Sequence, residues 1–169
     1  MPIIIFKDDM TLSFAENVLK PVFEYLSETS FKYESGGFIL GSQVEDESAF
    51  IITRMTLPDK EDERGAVSFM RNRIPADKLI SDERNGSNGS ENYLGEWHTH
   101  NEDIPHPSIT DNLLMRQVDW EKSCLFDHAF MIIFGNNGKA YVGKVDTAFE
   151  GDFTDSMVVD IGNGWHSKI

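Results

Sequence analysis

The segment GEWHTHNEDIPHPSITD, residues 95–111, holds three histidines, four carboxylates and a serine. If it begins as a strand, His98 and His100 are two apart and project from the same face, while Trp97 and Thr99 point to the other. Ser108 and Asp111 follow His100 by eight and eleven residues, where helical spacing begins. A helix start there can aim a carboxylate back at the strand end. Two imidazoles and one carboxylate form the donor set of a zinc site with an open fourth position, the arrangement of catalytic rather than structural zinc. Bound zinc brings the pKa of a water to about 7 and polarises carbonyls, so hydrolysis is the chemistry such a site would perform.

Plainer readings of the same residues stay open. A histidine on a strand is commonly just a hydrogen-bonded side chain. Ser108-Ile109-Thr110-Asp111 equally reads as a capping box, with serine at the N-cap and an acid three residues on. The two roles do not exclude each other. Other templates fit less well. A single cysteine rules out the PCxxC pair of zinc deaminases, and HExxH is absent. The HxHxDH pattern fails at Glu102 and Asp103. HxH amidohydrolases need a barrel of about 250 residues, and a cupin would be almost all β. No GxSxG, P-loop or GxGxxG occurs. Cys124 with His128 is a weak nucleophile pair, because an apolar setting gives no reason for a lowered thiol pKa.

The elements that must position these residues come from a chain of 169 residues, 40% hydrophobic and 26% charged, enough for one domain with a real core. Fifteen Lys+Arg against 29 Asp+Glu give a formal charge of −14, which repels phosphate backbones and anionic lipids. Nucleic-acid binding and membrane binding are therefore not expected. The lone Cys124 allows no intramolecular disulfide and is expected to be a buried, inert thiol. The start of the chain lacks the features of a signal peptide, and no apolar run approaches the ~20 residues of a membrane span, so a cytoplasmic location is expected.

Residues 1–10 read as a first strand. The apolar spacing of Leu12, Ala15, Leu19, Val22, Phe23 and Leu26 predicts an amphipathic helix over Thr11 to Glu28, kinked or split at Pro21. FILGS and AFIITRMTL, joined by the acidic QVEDES, read as a hairpin. Pro58 to Gly65 reads as a charged loop, Val67 to Met70 as a short strand and Pro75 to Arg84 as a helix ending at NGSNGS. Tyr93 to His100 is the next strand, Ser108 to Glu121 a helix, and AFMIIF and KAYVGKV a hairpin around GNNG. The acidic segment of residues 147–169 carries no pattern that fixes its order. This succession predicts one α/β domain, a mixed β-sheet with helices packed on it, spanning residues 1–169.

His98-Thr99-His100, seven residues, Ser108, two residues and Asp111 match the JAMM signature H-x-H-x7-S-x2-D, so the chain resembles the JAB/MPN metallopeptidases. Glu34-Ser35-Gly36-Gly37-Phe38-Ile39-Leu40-Gly41 resembles that family's E-[ST]-G-G-x-x-x-G segment. The order of elements is similar to the family's cytidine-deaminase-like fold over roughly residues 1–147. One departure is Asn101, where family members often carry proline after the second histidine.

The resemblance implies zinc held by His98, His100 and Asp111. It implies Glu34 as the group that takes a proton from water and passes it to the leaving amine, and Ser108 as an oxyanion donor. Glu96, on the same strand face as His98, competes with Glu34 for the base role or could orient an imidazole. His106 is expected at the pocket rim. The implied reaction is hydrolysis of the bond after the C-terminal tail of a conjugated protein, ubiquitin-like or of nucleotidyltransferase type. GEWHTH is similar to stand-alone bacterial members found beside conjugation enzymes in anti-phage operons. The tail is expected to lie along an exposed strand edge near His98. A zinc amidohydrolase of small amides and a non-catalytic MPN scaffold are the alternatives.

Overall fold

The computed structural model describes residues 3–29, 31–44, 48–58, 63–64, 69–70, 81–82, 84–87, 91–116, 124–149 and 152–162. In chain order they form β1 (Ile3–Ile5), β2 (Thr11–Phe14), α1 (Lys20–Glu28), β3 (Gly36–Gln43) and β4 (Ala49–Met55). The two-residue strands β5 (Glu63–Arg64) and β6 (Phe69–Met70) come next, then β7 (Asn92–Thr99) and α2 (Ile109–Arg116). β8 (His128–Phe134), β9 (Lys139–Asp146), a 3-10 turn (Thr147–Phe149) and β10 (Phe153–Asp160) complete the order.

Eight strands make one sheet in the order β1-β2-β4-β3-β7-β8-β9-β10. β2 runs parallel to β4 and β7 parallel to β8, and the other neighbours are antiparallel, so the sheet is mixed as expected. The sheet is buried on both faces. Along β8, Phe130, Ile132 and Phe134 enter one core with Leu12, Val22, Leu26, Ile39 and Trp97. Ala129, Met131 and Ile133 enter a second with Phe38, Leu40, Tyr93, Met115 and Cys124. The continuous run AFMIIF is thus a strand covered on both sides, divided by period-two alternation. α1 covers the first face through Val22 and Leu26, and α2 covers the second through Met115.

Several boundaries differ from the sequence reading. Thr11 to Glu28 is not one helix. Leu12 and Phe14 are buried at period two on β2, and the chain turns at Asn17, whose φ is 64°, before α1 begins at Lys20. Pro21 therefore sits in the first helical turn, where its missing N–H is harmless, instead of kinking a helix. Arg64 pairs with Phe69 and Glu63 with Met70, so the end of the charged loop is paired strand. Residues 81–82 and 84–86 are helical, two residues past the predicted Arg84 end, while 75–80 lie outside the described residues. The predicted extension of α2 over 117–121 also lies outside them. Residues 153–160, whose order the sequence left open, form β10 and pair with β9 from Phe153↔Val145 to Asp160↔Lys139.

The two outer strands approach each other because the sheet curls. The Lys7 amide donates to Asp155 Oδ2 at 2.8 Å, and Lys7 Nζ lies 3.2 Å from Asp155 Oδ1. Buried Lys144 pairs with Asp8 and lies 5.5 Å from the centroid of the Phe6 ring. Segments following β1 thus clasp side chains of β9 and β10. No described helix is long and apolar enough to cross a membrane.

Candidate metal centre

β7 is delivered to its site by a bulge. Leu40 pairs with Tyr93 and Ile39 with Gly95, so Leu94 is the extra residue and the strand's alternation changes phase. Leu94 and Trp97, three apart, both enter the first core. Tyr93 and Glu96, also three apart, share the other face, where the Tyr93 hydroxyl donates to Glu96 Oε1 at 3.3 Å. Without the bulge His98 would follow Leu94 into the core beneath α1. With it, His98 faces α2, beside Ile133 of β8. Gly95 makes this possible, because its φ is +138° and a Cβ there would stand 1.9 Å from the Phe130 carbonyl oxygen.

Asp111 reaches the histidines from the first turn of α2, on the same helix face as buried Met115. The capping box is real. The Asp111 amide donates to Ser108 Oγ at 3.1 Å, and the Ser108 amide donates to Asp111 Oδ2 at 2.6 Å. The cap fixes the carboxylate that faces the imidazoles, so capping leaves Asp111 directed at His98 and His100.

Glu34 stands two residues before β3 begins at Gly36. The Ser35 amide donates to Thr99 Oγ1 at 3.0 Å, the Thr99 amide to the Ser35 carbonyl at 2.8 Å, and the Tyr25 hydroxyl to Ser35 Oγ at 3.0 Å. Thr99, which points away from the histidines, thereby holds the Glu34 junction. The second glycine of the ESGG run has a steric reason. A Cβ on Gly37 would lie 1.9 Å from the Thr56 carbonyl oxygen, the acceptor of the Trp97 indole N–H at 2.8 Å.

The result is a buried cluster. His98 Nε2 and His100 Nε2 are 3.2 Å apart, and each lies 3.2 Å from an oxygen of Asp111. Glu34 Oε1 is 3.7 Å from His100 Nε2. Zinc–ligand distances of about 2.0–2.2 Å put tetrahedral neighbours roughly 3.3 Å apart, which the 3.2 Å between the two Nε2 atoms matches, while His98 Nε2 meets Asp111 Oδ1 and His100 Nε2 meets Asp111 Oδ2, each at 3.2 Å. The donor set therefore fits zinc.

The electrostatics agree with a site built for a cation. Burial works against the charge on Asp111, yet hydrogen bonds with His100 and His98 outweigh it and hold the carboxyl well below its ordinary range. Burial likewise opposes a charged His100, but Asp111, Glu34 and Glu102 raise its pKa above the usual imidazole value. Glu34 is raised, chiefly by burial, with the two imidazoles pulling the other way. A carboxyl tuned upward beside two imidazoles is suited to take and return a proton.

The structure brings Glu34 to the cluster, with Oε1 3.7 Å from His100 Nε2, whereas the Glu96 carboxylate accepts from the Tyr93 hydroxyl. His106 is exposed, with Nδ1 2.8 Å from the Ile104 carbonyl, and stands outside the trio. Cys124 is buried and its thiol is pushed up to about 11 by burial, and Sγ meets the backbone carbonyl of His128 rather than its ring. β7 itself offers no open edge beside His98, because it is paired on both sides, with β3 and β8. Asn101 has its own task. Its Oδ1 accepts from Asn136 Nδ2 at 2.9 Å, tying the loop after His100 to the β8–β9 turn. Glu102, which sequence reading passed over, has Oε2 3.9 Å from His100 Nδ1.

Residues 22–147 match the family model described as prokaryotic homologs of the JAB domain. Three curated relatives bear the name CD-NTase/cGAS isopeptidase. One from Escherichia coli (strain TW11681) is 40% identical over 78 residues, 46% of this chain and 49% of that protein. One from Vibrio cholerae is 24% identical over 143 residues, 83% of this chain and 87% of that protein. One from Pseudomonas aeruginosa is 31% identical over 100 residues, 59% of this chain and 62% of that protein. The match thus spans about half the length of the Escherichia coli relative. Protein DSY2949 from Desulfitobacterium hafniense, solved in solution, superposes with a TM-score of 0.53 at 14% identity, over 88% of this chain and 90% of that one, a likeness of fold.

Proposed function

We propose that this chain, which belongs to the family of prokaryotic JAB-domain homologs, is a zinc-dependent isopeptidase that releases a conjugated protein at its C-terminal tail. The observation that carries the reading is the buried convergence of His98, His100 and Asp111 with Glu34 Oε1 3.7 Å from His100 Nε2. The names of the relatives support a protein conjugate of CD-NTase type as the substrate.

His98 Nε2, His100 Nε2 and Asp111 would hold the zinc. When bound, it supplies Lewis acidity toward a carbonyl and lowers the pKa of a water to about 7. Glu34 takes the proton of the attacking water at Oε1 and returns it to the nitrogen of the departing lysine as the amide C–N bond breaks. Its raised pKa brings proton uptake nearer to neutral pH. Ser108 Oγ accepts the Asp111 amide and keeps its own hydrogen free to donate to a carbonyl oxygen that gains negative charge. Asp111, held as an anion, balances the positive charge at the centre.

The test uses purified chain, a metal analysis, and a CD-NTase joined through its C-terminal residue to a lysine of a carrier protein. About one zinc per chain, cleavage at the joining amide, loss with a chelator and recovery with zinc are expected. Cleavage of small amides but not of the conjugate would select the small-amide hydrolase instead. Zinc binding with no cleavage of either would select the scaffold.

A further inference from the structure

His100 Nδ1 is buried and has no hydrogen-bond partner among the described residues. For Nε2 to present a lone pair toward Asp111 and His98, the ring proton must sit on Nδ1. A buried N–H without an acceptor is unfavourable, and metal-binding histidines nearly always donate the distal N–H to a carboxylate, carbonyl or water. The carboxylate of Glu102 is the neighbour that can serve. Its Oε2 stands 3.9 Å from Nδ1, one small torsional movement from bonding distance, on a side chain 54% exposed and so free to make it.

The backbone beneath Glu102 is fixed independently of the carboxylate. The Asn136 amide donates to the Glu102 carbonyl at 2.9 Å, and the His100 amide donates to the Phe134 carbonyl at 3.0 Å. Gly135 carries no Cβ where one would stand 2.6 Å from the Glu102 carbonyl oxygen and 2.8 Å from Pro105 Cδ. The GNNG turn thus docks the loop after His100 and holds Glu102 beside the ring.

We propose that Glu102 is a positioning residue, whose carboxylate accepts the Nδ1 proton of His100 and fixes the tautomer that offers Nε2 to the cation. The inference rests on the zinc reading of the trio above. It is tested by zinc affinity, measured by chelator competition, in the wild type, Glu102→Ala, Glu102→Gln and, as a charge control next door, Asp103→Asn. Glu102→Ala is expected to bind zinc about 10- to 100-fold more weakly, and Asp103→Asn as the wild type does. Glu102→Gln keeps an acceptor oxygen but not the charge, so it should recover most of the affinity. In the zinc-loaded wild type the His100 Nδ1 proton resonance should lie downfield and move upfield in Glu102→Ala. Melting of the metal-free variants checks that folding is unchanged. Unaltered affinity in Glu102→Ala, equal losses in the Ala and Gln variants, or an unmoved resonance would overturn the proposal. A wild type that binds no zinc would instead overturn the metal reading itself.

Discussion

At Glu34 stability and the proposed chemistry pull in opposite directions. Burial raises its pKa despite the two imidazoles, so the fold favours the protonated carboxyl. A folded value above the unfolded one gives stability present below the ordinary 4.5 and lost as pH rises through the folded value. At neutral pH the ionised form therefore weakens the metal-free protein. Glu34→Gln should raise the melting temperature of metal-free protein at pH 7 in calorimetry, while turnover falls by about 10²–10⁴. A lower melting temperature would show the carboxylate to be favourable in place. His100 gives a second prediction. Its pKa is raised above 6.5, and zinc requires the neutral ring. In the metal-free protein the charged ring adds stability below the unfolded value, lost as pH rises through the folded one. Protons should accordingly begin to weaken zinc binding while pH is still above 6.5. Titration calorimetry across pH, flat down to that value, would contradict it.

At the scale of elements, the site depends on the phase of β7. HTH alternation alone puts His98 and His100 together, but the bulge at Leu94 and Gly95 decides which face they share. A Cβ on Gly95 meets the Phe130 carbonyl oxygen at 1.9 Å with φ at +138°. Gly95→Ala should destabilise by about 1–3 kcal/mol and lower zinc content, because relief of the clash shifts the strand that carries both ligands. Urea denaturation and metal analysis together measure this, and full zinc occupancy with unchanged stability would show that the bulge is dispensable. β2 teaches a related lesson. Leu12, Ala15 and Leu19 happen to fit helical spacing, yet pairing of Thr11–Phe14 with β4 outweighs local pattern. Propensity yields where a strand can complete a sheet.

For the whole molecule, the clasp across the curled sheet predicts its acid response. The hydrogen bond from Lys144 lowers the pKa of Asp8, and the Lys7 amide, followed by its ammonium, lowers that of Asp155. Lowered folded values give stability present above the ordinary 3.8 and lost as pH falls through the folded values. The denaturation midpoint should fall below about pH 4, and Asp155→Asn should fall less steeply. An identical slope in the variant would remove Asp155 from the account. β10, which brings Asp155 to Lys7, lies in a segment whose acidic, alternating residues give no signal of a partner until β9 is beside it.

The placing of His98, His100, Ser108 and Asp111 is legible in the chain because short spacing on a strand and a helix cap are local properties, fixed by backbone geometry within a few residues, whereas Glu34 is legible only through the resemblance of its ESGG run to a family segment. The GNNG hairpin and the two-faced run of β8 are legible for the same reason. Tertiary structure alone decides which face of β7 carries His98 and His100, that the Glu34 carboxylate stands beside His100, that β7 is an inner strand, and that Glu102 stands beside His100. Those outcomes depend on contacts between residues far apart in the chain, where a one-residue bulge reverses a face and pairing partners are chosen by the whole sheet.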